Sequence, residues 1–465
     1  MRVYRIVIVG GGLAGLAAAW ELVSASEADS EVLVLDGSDR VGGKLRQEVV
    51  GGRLVDVGAE SMLAVRPEAR ELIAEIGAGQ RLVIPATTAA SVWSHGALHP
   101  LPPGSLMGVP RRPADATGIL SAQGMERLRA ALVPPAPTRD VSVGDYVAAA
   151  LGDEVVDRLV DPLLGGVYAG DARQISLAAA VPAIHAKALS SDPLLDSSPP
   201  TPESPSAPAQ SAFIGIDGGV GVLPELLADA IAKRGGRIRT GAVVREVRRA
   251  VAGWEIVAGP TIAPEVITAD AVILALPPAP ARRLLGPVAP SAAHELAAIE
   301  TASMAIVTFA FPRVAMPALP GSGFLVPPVE GRAIKASTFS SQKWGWLADA
   351  APETAYVRAS LGRHREEAAL QVDDRTLAAR ALADLRAIAG ALPDPLDAHV
   401  QRWGGALPQY AVGHLDRIAL VRKAIGEIDG LEVAGAAYDG VGIPAVIGSG
   451  RRAARAIRTA YGPGE

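Results

Sequence analysis

The 465-residue sequence predicts an α/β fold, α+β overall. Three observations carry that prediction: a glycine-punctuated strand-to-helix start, the return of the same pattern after a long helical stretch, and a glycine-rich strand–loop–helix near the C-terminus. The start reads IVIVGGGLAGL. Ile6 to Val9 form a continuous β-branched run, which suits a parallel strand covered on both faces. From Leu13 the spacing turns helical, with Leu16, Ala19 and Leu22 on one face. Gly10, Gly12 and Gly15 match G-x-G-x-x-G, and the turn runs on through Leu13 and Ala14. Missing Cβ atoms there let a pyrophosphate approach the N–H groups at the positive end of a helix. Taken alone, the motif also allows a structural turn without a ligand.

The next strand, Glu31 to Leu35, ends in Asp36, about twenty residues past the last glycine, where a ribose hydroxyl needs an acceptor. A nicotinamide enzyme shows this much. The run Asp36-Gly37-Ser38-Asp39-Arg40-Val41-Gly42-Gly43-Lys44 goes further, placing a second glycine pair between two cations. That order implies a second approach of backbone and positive charge to a phosphate-bearing ligand.

These residues resemble the FAD site of the flavin amine oxidase superfamily, which joins the dinucleotide turn to acid-x-x-x-R-x-G-G-[KR]. Asp36 stands where Glu is more usual, which shortens the reach to ribose and keeps the acceptor. The resemblance implies a discontinuous Rossmann-like FAD domain, with Arg40, Gly43 and Lys44 near the pyrophosphate or flavin. It also implies that Gly58, Ala59, Glu60 and Ser61 form the backbone loop beside the isoalloxazine ring.

Composition fits a large globular enzyme of more than one lobe. No apolar run reaches about 18 residues, so a membrane span is not expected and membrane contact is at most peripheral. The N-terminus enters a strand almost at once, leaving no room for a signal peptide and implying a cytoplasmic location. Zero cysteines exclude disulfides, thiolate metal sites and a cysteinyl flavin, so FAD is expected to be non-covalent. The seven histidines show no ligand spacing, and no metal is expected. A net charge of −5 gives no sign of a nucleic-acid partner.

Periodicity breaks up in HGALHPLPPGSLMGVPRRP, and helical patterns dominate from Ala130 to Ala188. The Pro/Ser-rich stretch at 190–212 lacks apolar periodicity and reads as a mobile linker or lid. Strands return at Ala242 to Val247 and at Ala271 to Ala275, with a hairpin through Gly253. The resemblance lays backbone of the first against adenine, at Val244. A β-rich region from Ala305 to Leu361, followed by a helix from Asp373 to Leu392, reads as the substrate lobe. Near the C-terminus, Leu431 to Ala434 read as a strand followed by a glycine loop and a helix starting at Gly442-Ile443-Pro444. In the family this helix aims its positive end at the flavin, implicating Gly435, Val441, Gly442 and Ile443.

Within the superfamily, three motifs resemble the protoporphyrinogen/coproporphyrinogen oxidases: DPLLGGVYAGD at 161–171, KASTFSSQKW at 335–344, and RWGGALPQY at 402–410 followed by His414. The resemblance implies a wide cleft over the flavin lined by Gly166, Val167, Tyr168, Ala169, Gly170, Lys335 and Tyr410, with Trp403 near the cofactor. The resemblance further implies that flavin N5 would take a hydride from a meso carbon while a pyrrole N–H loses its proton, and that oxygen would return the flavin to its oxidised form, giving hydrogen peroxide. No catalytic side chain is required, and Lys335 is the candidate for one. The motifs look closest to the Gram-positive bacterial type, for which the resemblance implies coproporphyrinogen III as substrate, with hand-off to a ferrochelatase possible. Protoporphyrinogen stays open. More propionates favour more cations, and Arg111, Arg112, Lys187, Lys335 and Lys343 are available. An amine oxidase also stays open, needing an aromatic cage from Trp403, Tyr410 and Tyr438, as does a non-catalytic flavoprotein. The expected domain map gives the FAD domain 1–80, 213–290 and 401–465, the substrate domain 81–104 and 291–400, and a helical insertion 105–212.

Overall fold

The computed structural model describes residues 4–25, 30–196 and 211–461. The stretch 197–210 of the expected linker lies outside them. The first strand, Tyr4–Val9, sits at the centre of a five-stranded sheet ordered Arg237–Arg239, Ser30–Leu35, Tyr4–Val9, Ala271–Leu274, Leu431–Val433. All four pairings are parallel. Ile6 and Ile8 pack on one face with the helix Leu13–Ala25, while Val7 and Val9 pack on the other against Trp254 and Leu284. Both faces are dry, which is why the strand is a continuous aliphatic run rather than an alternating one.

The helix Ile443–Tyr461 crosses the helix Leu13–Ala25 at close quarters: a Cβ on Gly450 would strike the carbonyl of Ala14. This crossing carries the start of the last helix to the same end of the sheet as the first glycine turn. Connections leave Tyr4–Val9 to one side and Ala271–Leu274 to the other, so that end is a switch point of the kind where ligands bind in open α/β sheets.

A second, seven-stranded sheet runs Asp397–Pro408, Thr301–Pro312, Thr354–Leu361, Ile334–Thr338, Gly323–Leu325, Ser91–Ser94, Ala97–Pro100. The helix Asp374–Ala389 covers one of its faces through Leu377, Ala381 and Leu385. The strand Asp397–Pro408 pairs with Thr301–Pro312 from Asp397 to Pro408, across the expected boundary at residue 400.

A helical region lies in sequence between the strands Ala97–Pro100 and Phe213–Ile216. Ser121, Ser142 and Ser176 cap three of its helices by accepting from Gly124 N, Asp145 N and Ala179 N. The expected helical pattern from Ala130 is interrupted: residues 130–142 are not helical, because Pro134, Pro135 and Pro137 remove donors and fix φ. The helix Ala122–Arg129 precedes that gap. The expected strand at Ala242 runs instead over Val244–Arg249.

Candidate active site

The glycine turn is built by strand, helix and one carboxylate. Gly10 has φ +110°, and a Cβ on Gly15 would strike the Gly10 carbonyl, so both are demanded by the backbone itself. Gly12 differs: a Cβ there would meet nothing within 4 Å. Its space is open, at the start of a helix whose first N–H groups have no intrahelical partner. Leu13 and Ala14 have buried side chains and face this space through backbone alone.

Asp36 accepts from Gly11 N at 2.6 Å and from Ser38 N at 2.7 Å. Beside its expected ribose contact, it therefore ties the two loops together. Residues 241–244 lie alongside, with Ala242 N donating to Asp36 O. Here Val244 is buried in the core, and the exposed Val243 is the side chain facing Gly37. Arg40 donates to the carbonyls of Val41, Gly43 and Leu45, a clamp on the second glycine loop rather than a free cation. Lys44 makes no ion pair or side-chain hydrogen bond among the described residues. Although its side chain reaches solvent, desolvation by surrounding protein lowers it to about 8.

The loop Gly58–Ser61 is held by a buried charge cluster. Glu60 accepts from Lys343 at 2.9 Å, Arg358 at 2.7 Å and Ser340 at 2.9 Å. Lys343 also donates to Ser61 Oγ, and Arg358 donates to the Gly58 carbonyl. Burial pushes the Glu60 carboxyl up, and attraction to Lys343 and Arg358 more than reverses this, bringing it down to about 2. Trp403 donates its indole N–H to Val57 O at 3.2 Å, and its ring lies against Gly58. Asp56 accepts from Val220 N and Gly221 N, and desolvation raises it to about 6. Arg358 and Asp56 were not among the sequence candidates; an Arg in a strand and an Asp before the loop carry no motif of their own.

Opposite the first turn, Gly435 N donates to Ser449 Oγ at 2.9 Å. Gly442 is exposed with φ +98°, and a Cβ on it would meet nothing within 4 Å. Two helix starts, two cradles that a side chain would fill and the cation of Lys44 together fit a diphosphate-linked flavin.

The 166–170 segment divides in two. Gly166 and Val167, on the helix Asp161–Tyr168, reach solvent. Tyr168, Ala169 and Gly170 are buried, as are Lys335 and Tyr410, so of the residues expected to line the cleft surface Gly166 and Val167 are the two that reach solvent. Gln409 explains the burial of the first three: its Nε2 donates to Tyr168 O at 2.7 Å, and its side chain fills the space a Gly170 Cβ would enter, next to Ile175. Burial raises the Tyr168 hydroxyl to about 12. The rings of Tyr168 and Tyr410 lie 5.4 Å apart, and Tyr410 stacks on His414 at 3.9 Å. Val441 packs against the cluster containing Tyr168 and Tyr410, joining the last helix's start to this side of the molecule. Ile443 is buried at that start, under the sheet.

The aromatic cage does not assemble. Tyr410 donates to Ala436 O in one packing cluster, Tyr438 is buried in another, and Trp403 is tied to Val57. Four of the five cations expected for propionates are also committed elsewhere: Arg111 to Asp196, Arg112 to Asp115, Lys187 to Pro193 O and Lys343 to Glu60. Among the described residues, no cluster of His, Asp and Glu could hold a metal, and no helix is long and apolar enough to cross a membrane.

Fold and site together define a flavin-dependent oxidoreductase that uses FAD. The family model described as flavin containing amine oxidoreductase matches residues 13–458, and the chain belongs to that family. It is 37% identical over 455 residues to a coproporphyrinogen III oxidase of Mycobacterium leprae, covering 97% of each chain. A Bacillus subtilis protein of the same name is 30% identical over 464 residues, again covering 97% of each. Among solved structures, an Exiguobacterium protein assigned as a protoporphyrinogen oxidase superposes with a TM-score of 0.85 at 31% identity, covering 98% of this chain and 99% of its own.

Proposed function

We propose that the protein is a coproporphyrinogen III oxidase, dehydrogenating coproporphyrinogen III to coproporphyrin III with oxygen as acceptor and hydrogen peroxide as by-product. The observation that carries this reading is the full-length similarity to relatives of that name. The geometry supports it: the accessible face of the helix Asp161–Tyr168 presents Gly166 and Val167, small apolar groups suited to a broad macrocycle. The aromatic residues that an amine oxidase would gather stay apart: Tyr410 and Tyr438 pack in separate clusters, and Trp403 is tied to Val57 O.

When bound, the flavin supplies two-electron oxidation of the substrate. The chain's part is to hold and shield. Gly12 and Gly442 leave room at two helix starts whose partial positive charge favours phosphate and a reduced, anionic ring. Glu60, Lys343 and Arg358 fix the loop Gly58–Ser61, and the packed Tyr168–Tyr410–His414 stack keeps water out behind the cleft. The expected domain map belongs to this reading, with the last boundary moved past Pro408 to keep the strand Asp397–Pro408 whole. A cytoplasmic location and hand-off of product to a ferrochelatase are its remaining parts.

The test is the spectrum of the purified protein with two kinds of substrate. Anaerobic coproporphyrinogen III should bleach the flavin band, and air should restore it with porphyrin fluorescence. Bleaching by amines alone overturns the reading.

A further inference from the structure

Of the five propionate candidates, Lys335 is the one whose side chain has no partner among the described residues. The pairing between Ile334–Thr338 and Thr354–Leu361 slips by one residue between Ile334 and Ala336, so Lys335 sits at a β-bulge. Bulges of this kind re-aim a side chain. Lys335 is 4% exposed, and its Nζ has no hydrogen-bond partner among the described residues. Its charged neighbour is a second cation, Arg363. Val326 links the two: its N–H donates to the Lys335 carbonyl at 2.9 Å, and its carbonyl accepts from the Arg363 guanidinium at 3.3 Å.

Arg363 is little better compensated. Its side chain is 15% exposed, and its nearest carboxylate, Glu366, stands 3.8 Å away with 55% of its own side chain in solvent. Asp161, on the helix that carries Gly166, adds attraction from further off while accepting from Ala172 N. Of these two largely buried cations, Arg363 thus has one carbonyl and an outlying carboxylate, and the Lys335 ammonium has no compensating group among the described residues. Positive charge left uncompensated in a protein interior is costly, and it is relieved either by loss of the proton or by a partner anion; a guanidinium has only the second route. The missing partner is an anion, and the place is the seam between the sheet and the helix that presents Gly166 and Val167.

We propose that Lys335 and Arg363 form a carboxylate subsite that takes one propionate of the porphyrinogen. The subsite rests on the proposed substrate class. Desolvation, then Arg363, lowers Lys335 to about 7, so an arriving carboxylate restores its charge and makes a charge-assisted pair of the strong kind.

The test compares wild type, Lys335→Met and Arg363→Gln, all loaded with flavin. Binding of coproporphyrin III, with its free carboxylates, is measured by fluorescence titration beside binding of its tetramethyl ester. Each variant should weaken the acid about tenfold or more, equivalent to about 1.4 kcal/mol, and leave the ester unchanged. Two variants keep the comparison available should one fold poorly. Equal weakening of acid and ester, or undiminished binding of the acid, overturns the subsite. A wild-type protein that binds neither compound and turns over no porphyrinogen overturns the substrate reading itself.

Discussion

A Cβ at Gly12 would meet nothing within 4 Å, whereas one at Gly15 would strike the backbone of Gly10. Substitution should separate the two roles. Gly12→Val is expected to give folded, colourless protein: its methyl groups enter the space assigned to pyrophosphate and displace no protein atom. Flavin absorbance and Tm on the same sample check this, and a yellow variant moves the phosphate elsewhere. Glu60 makes a different prediction. Its folded pKa of about 2 lies below the ordinary 4.5, so its stabilising contribution is complete above pH 4.5 and is lost as pH falls toward 2. Glu60→Ala leaves Lys343 and Arg358 buried as like charges and should cost about 3–5 kcal/mol at neutral pH. Urea unfolding from pH 2 to 7 should show the difference closing at the acid end.

The helix Asp161–Tyr168 carries the prediction at the scale of elements. A Cβ at Gly166 comes no nearer than 4.0 Å to another side chain, that of Leu325, and the residue reaches solvent. Gly166→Leu should therefore fold, keep its flavin and lose porphyrinogen turnover through bulk on the cleft face. Gly170→Leu should instead lose soluble protein, since its side chain would be driven into Gln409 and Ile175. Expression yield, flavin absorbance and porphyrin fluorescence separate the two outcomes; a Gly166→Leu enzyme of unchanged rate removes this helix from the substrate path. The sequence put both glycines in one cleft because they share a motif. Their difference depends on Gln409, whose contact with Tyr168 spans 241 residues of chain.

For the whole molecule, zero cysteines and a phosphate-holding turn imply that acid precipitation should release all the flavin into the supernatant. Yellow colour kept in the pellet contradicts this. The nucleotide-binding half of the fold was largely legible in the sequence because its signals are local: a β-branched run, glycines at fixed spacing, an acid at a strand end. The candidate flavin contacts follow the same local patterns. The Glu60–Lys343–Arg358 cluster was not legible as a unit, because its members come from a loop, a short helix and a strand far apart in the chain. Four of the five cations offered for propionates failed for the same reason. Their carboxylate or carbonyl partners are set by tertiary packing, which composition does not record.

The order in which the parallel sheet is completed has a consequence for synthesis. Its strands come from residues 4–9, 30–35, 237–239, 271–274 and 431–433. A nascent chain ending before Leu431 carries Ala271–Leu274 with an open, apolar edge, and it lacks the helix Ile443–Tyr461 that crosses Leu13–Ala25. Long-range parallel pairings of this kind form slowly and leave unpaired edges exposed to association. The first glycine turn is thus made early and waits for the end of translation. Flavin capture becomes the closing event of folding, and prematurely terminated chains are expected to aggregate rather than accumulate as soluble apoprotein.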